Sequence, residues 1–127
     1  MILADTSIWI EYLKTKPPVF ALLQGQLEQQ NIVGVECVFG ELLQGTKILR
    51  ERETVLRYWH NLPKRDEQGL CLEAGALSQE HNYLSKGIGL IDSFLIAFIR
   101  KYHVQIWTLD KKLLSALGAN EIFTPPI

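Results

Sequence analysis

Sulfur is scarce in this chain: its 127 residues include two cysteines, Cys37 and Cys71, and one methionine. The cysteines have no CxxC spacing, and they read as ordinary reduced thiols in a reducing compartment. Charge of one sign is missing too, with 13 Lys+Arg against 14 Asp+Glu and a formal charge of −1. That balance excludes a polybasic tail-like protein and an acidic disordered one. It leaves a nucleic-acid partner open, because a local basic rim can serve where the net charge is neutral. Long hydrophobic runs are absent as well. The most apolar stretch, Gly87 to Ile99, contains Asp92 and falls far short of the ~20 residues a membrane span needs. Met1 to Asp5 lacks a basic n-region and meets an acid too early for a signal peptide. The expectation is a soluble, cytoplasmic protein with no membrane partner.

Several catalytic signatures are missing. His60, His81 and His103 show no HExxH or other metal-pair spacing, and each reads as a surface or helix-end residue. No GxSxG elbow supports serine nucleophile chemistry. Gly40 to Lys47 has the glycine spacing of a phosphate-binding loop, but Thr46 and Lys47 stand in the wrong order. The intervening Glu-Leu-Leu-Gln also favours helix, whereas such a loop must wrap its N–H groups around phosphate. A receiver domain would need an adjacent acidic pair after the first strand, where only Asp5 is found.

What is present is a chain long enough for one domain, spanning residues 1–127, with 47% hydrophobic residues. A chain this long buries roughly two-thirds of its unfolded surface, so it needs neither disulfides nor a structural metal. Short apolar runs at Ile2–Ala4, Asn31–Val35, Val104–Leu109 and Ile122–Phe123 read as strands. Between them lie stretches of helical period. Thr6 and Ser7 are N-cap types ahead of Ile8, Trp9, Tyr12 and Leu13. Pro17-Pro18 separates that helix from one carrying Phe20, Leu23 and Leu27. Glu36 to Trp59 is helical with a break near Gly45-Thr46. Leu70, Ala74, Leu77 and Leu84 mark a stripe that Gly87 closes, and Leu90 to Tyr102 is apolar almost all round. Alternating strands and helices predict an α/β fold. Its mostly parallel central sheet would have about four or five strands, with helices on both faces.

Four acids stand apart from the solvated ones. Asp5 ends the first strand, where open α/β sheets place ligands. Glu41 interrupts an apolar helix, Asp92 stands at the entry of the helix expected to be most buried, and Asp110 ends the Trp107-Thr-Leu strand. Each has a plain alternative: three are helix-cap types, and Glu41 fits an exposed stripe. The expected topology nevertheless brings two strand ends and a buried helix start into one cleft. Carboxylates packed together repel and raise one another's pKa values. A divalent cation relieves that conflict, and oxygen ligands favour Mg²⁺ or Mn²⁺ over zinc.

Four segments carry a resemblance: Ile2-Leu-Ala-Asp5-Thr-Ser7-Ile-Trp9-Ile, Gly40-Glu41-Leu-Leu-Gln-Gly45, Gly87-Ile-Gly-Leu-Ile-Asp92-Ser-Phe-Leu-Ile-Ala97 and Trp107-Thr-Leu-Asp110. In that order they resemble the PIN domains, and within them the VapC-type toxins of toxin–antitoxin pairs. The resemblance implies a Mg²⁺- or Mn²⁺-dependent endoribonuclease with Asp5, Glu41, Asp92 and Asp110 as catalytic and metal-holding acids. It also implies a homodimer and a cognate antitoxin covering the cleft. Many relatives carry a further acid after the fourth position, where this chain has Lys111-Lys112. That leaves the ion count, one or two, open. Lys111, Lys112 and Lys86 are expected to hold the RNA backbone, with solubilising residues near helix ends as the equal alternative. Two other functions compete with the toxin: a PIN-fold ribonuclease of RNA processing or turnover, and a non-catalytic nucleic-acid or protein-binding module.

Overall fold

Ile2, Leu3 and Ala4 are buried and apolar without exception, so the strand they form must be covered on both faces. In the computed structural model, which describes residues 1–126, this strand β1 (Ile2–Ala4) pairs in parallel with β2 (Gln105–Trp107). Their register sets Ile2 opposite Gln105 and Ala4 opposite Trp107. Among the described residues the helices are α1 (Thr6–Leu13), α2 (Val19–Glu28), α3 (Glu36–Gln44), α4 (Leu49–Asn61), α5 (Leu70–His81), α6 (Leu90–Tyr102) and α7 (Lys111–Ser115).

The expected sheet of four or five strands is therefore wrong. The fold is mostly helical around a two-stranded parallel pair. The other two candidate strands contribute isolated bridges only, Ile2 to Ile32 and Gly34 to Lys64 from the first and Ile106 to Ile122 from the second, and hydrogen bonding shows why neither extends. Ile2 N–H donates to Asn31 and Val33 N–H donates to Ile2, but Gly34 N–H turns away to Pro63 O at 2.8 Å. The segment thus changes partner after three residues, and α3 begins at Glu36. At the other edge, Phe123 N–H donates to Ile106, and the prolines at 125 and 126 then remove the donors a ladder needs.

The helical expectations fare better, with two local corrections. The break near Gly45 is real: α3 is capped by Gly45, and α4 starts only at Leu49. The Gly40–Gln44 segment is accordingly helix, not a phosphate-binding loop. Helix α6 buries Ser93, Phe94, Leu95, Ile96, Phe98 and Ile99 and packs along α5. Leu84 does not continue the α5 stripe, because α5 stops at His81 and Leu84 is 78% exposed in a short 3-10 turn. The N-cap of α1 is Asp5, not Thr6 or Ser7, which lie inside the first turn.

Trp9 and Tyr12 are buried and sit among Phe39, Tyr58 and Phe20, where they pack the core. Burial pushes the Cys37 thiol up to about 12, leaving it protonated and unreactive at neutral pH. His60, His81 and His103 are exposed at helix ends. None of the helices is long and apolar enough to cross a membrane.

Candidate acidic site

Parallel pairing of β1 and β2 delivers both chains to the same end of the sheet, and the sequence places Asp5 and Asp110 just beyond it. Asp5 N–H closes the pair by donating to Trp107 O at 3.1 Å. The Asp5 carboxylate is 6% exposed and caps α1 by accepting from Ile8 N–H at 3.3 Å. Ser7 Oγ donates to its Oδ1 at 2.5 Å, and Thr108 Oγ1 donates to Oδ2. The same hydroxyls tie down the second strand end. Leu109 N–H donates to Ser7 Oγ at 3.0 Å, and Asp110 N–H donates to Thr108 Oγ1 at 3.0 Å. Two segments a hundred residues apart in sequence are thereby locked around one carboxylate.

The other acids arrive on helices. Asp110 caps α7 by accepting from Lys112 and Leu113 N–H groups. Glu41 projects from α3, which packs on α1, and accepts from Thr6 Oγ1 at 2.6 Å. Asp92 occupies the first turn of α6, where the helix dipole favours an anion but Gly89 supplies no side-chain cap. Asp5, Glu41 and Asp110 all bear on it electrostatically. Burial, then repulsion from Asp110, Asp5 and Glu41, raises the Asp92 carboxyl above the usual range. Burial also raises Asp5, against the lowering effect of its Ser7, Thr108 and Ile8 hydrogen bonds. Asp92 is thus within electrostatic reach of each of the other three expected acids.

Whether a divalent cation fits turns on charge and on geometry. The described residues hold two ion pairs, Lys16–Glu11 and Arg100–Glu121, and neither involves these four acids. An all-oxygen anionic cluster without a cation of its own suits a hard ion such as Mg²⁺ or Mn²⁺. Yet no three His, Cys, Asp or Glu side chains among the described residues stand close enough to form a ready ligand set. The fit is one of chemistry and charge.

The lysines divide. Lys112 lays its stem over Gly87, whose φ of +78° suits glycine, and a Cβ there would meet Nζ at 3.1 Å. This brings the Lys112 ammonium beside the turn that carries Lys86 and leads into α6. Lys111 is exposed at the start of α7. The residues that sequence reasoning passed over are Thr6, Ser7 and Thr108. Their signal was hydroxyl spacing: one and two places after Asp5, and two places before Asp110.

No protein-family model matches the chain, and no curated protein shows significant similarity to it. A solved structure described as a toxin–antitoxin complex from Klebsiella pneumoniae contains a chain of the same fold. The TM-score is 0.71 at 19% identity, over 98% of this chain and 97% of that one. At that identity the likeness is one of fold.

Proposed function

We propose that this chain is a PIN-type, VapC-like endoribonuclease, dependent on Mg²⁺ or Mn²⁺, and the toxin of a toxin–antitoxin pair. The observation that carries the reading is the Asp92 carboxyl, raised by burial and by three other acids that form no ion pair among the described residues. Mutual repulsion of this kind costs stability, and a chain retains it where function needs it. The fold shared with a chain of the Klebsiella pneumoniae toxin–antitoxin complex supports the toxin role and an antitoxin partner.

When bound, a hard divalent cation lowers the pKa of a water and offsets the charge developing on the phosphodiester. The protein's part is to hold donors in place. Asp5 is fixed by Ser7, Thr108 and the α1 N-terminus, so its oxygens need no reorganisation. Asp110 is fixed by the first turn of α7. Glu41 has Oε1 engaged by Thr6, with Oε2 left to orient water or take up its proton. Lys112, braced on Gly87, and Lys86 and Lys111 supply phosphate contacts at the margin.

The test is cleavage of single-stranded RNA with Mn²⁺ or Mg²⁺, with EDTA, and with Asp5→Asn and Asp92→Asn. Cleavage that EDTA and either substitution abolish is the expected result. Undiminished cleavage by folded Asp92→Asn protein contradicts the site.

A further inference from the structure

A cavity of about 550 Å³ opens beside the acidic site, between α1, α3 and α4, and Glu41 forms part of its wall. Its floor is aliphatic, built from Leu13, Leu42 and Val55, with Ile10 half-open at the lip. Its rim is cationic: Lys14, Lys47 and Arg50 line it, and among the described residues none is in an ion pair. The rim's acid, Glu51, is turned to the backbone and accepts Lys47 N–H at 2.8 Å.

We propose that this cavity is a nucleotide subsite. It receives a nucleobase unstacked from single-stranded RNA, while Lys14, Lys47 and Arg50 hold the flanking phosphates. Charge and position carry the inference together. The acidic site repels a polyanion, so a strand delivered to it needs cations close by, and this cationic rim adjoins Glu41. The aliphatic floor gives a base face apolar contact and shields it from water without reading its edge, which suits any base. Duplex RNA keeps its bases stacked and cannot fill the cavity. An acidic peptide with apolar side chains is the competing occupant. The strand is favoured because its successive phosphates can meet Lys14, Lys47 and Arg50 together while one base enters over the aliphatic floor. The inference rests on the ribonuclease reading for what lies next door, but binding tests it without cleavage.

The experiment measures anisotropy of a labelled single-stranded RNA, of the same sequence as duplex, and of a labelled acidic leucine-containing peptide. It uses wild type and Lys14→Ala, Lys47→Ala and Arg50→Ala, singly and combined, with EDTA present. These side chains are exposed, and circular dichroism checks folding. The combined variant is expected to bind single-stranded RNA at least tenfold more weakly. Its salt slope should be shallower by about two, from three lost contacts at about 0.7 each. Wild type is expected to prefer single strand to duplex. Unchanged RNA affinity in the combined variant, equal duplex binding, or a loss confined to the peptide overturns the subsite. If the predicted binding losses occur but wild type never cleaves, the subsite stands and the ribonuclease reading falls. If RNA is cleaved and the combined variant keeps wild-type affinity, the reverse holds.

Discussion

The two ends of α6 treat charge in opposite ways. At the C-terminal end, Arg100 donates to Glu121 through Nε at 2.8 Å and through Nη2 at 3.3 Å. The guanidinium holds Glu121 below the usual carboxylate range. At the N-terminal end, Asp92 faces Asp110, Asp5 and Glu41 and is raised. One helix thus ends in a closed ion pair and begins beside acids that form no ion pair among the described residues. The first arrangement serves folding. The second opposes it, and the proposed cation would relieve that repulsion.

That contrast can be broken most severely at the acidic end. Asp92→Asn is expected to lower RNA cleavage by at least about 100-fold, comparable to losing one transition-state electrostatic contact, measured under single-turnover conditions. Thr108→Val removes the hydroxyl that donates to Asp5 and accepts from Asp110 N–H. Leaving both groups without it should cost about 1–3 kcal/mol in urea unfolding and slow cleavage with little change in RNA affinity.

Substitution at the other end should do far less. Glu121→Gln breaks a partly exposed pair, so a loss below about 1 kcal/mol is expected, with cleavage unchanged. Its pH dependence has a definite sign. Because the folded Glu121 pKa is lowered, its contribution is present above the unfolded value of about 4.3 and fades as pH falls through the folded one. The stability gap between wild type and Glu121→Gln should therefore close on acidification. For Asp92 the sign reverses. With its folded pKa raised, the proton is held more tightly in the native state, so the ionised group weighs against folding as pH rises through that value. Without metal, Asp92→Asn should gain most over wild type at neutral pH and least in acid.

Three of the four acids were conspicuous in the sequence because they sit at element boundaries, whereas Glu41 lies inside α3. Asp5 follows an unbroken apolar strand, Asp110 lies just past the second strand, and Asp92 interrupts the helix with the most buried side chains. Such interruptions are costly and therefore conspicuous. The hydroxyls that hold Asp5 were hidden by their ordinary preference for helix starts, since Thr6 and Ser7 suit N-caps equally well. The sheet was overcounted for a different reason. Asn31–Val35 has the apolar content of a buried strand, but pairing depends on which backbone groups the neighbours leave free. Gly34 finds Pro63, and β1 is left with one bridge on that side. Local composition carries no trace of that choice.

The central claim, that the acidic cluster is built for a divalent cation, is tested most directly by thermal unfolding of wild type and Asp92→Asn with EDTA and with Mn²⁺. With EDTA, Asp92→Asn should melt higher, since it removes one member of the repelling set. With Mn²⁺, wild type should rise and Asp92→Asn should not, so that the order of the two melting temperatures reverses. If Mn²⁺ leaves both proteins unmoved, or raises both equally, these carboxylates are not its site and the account fails.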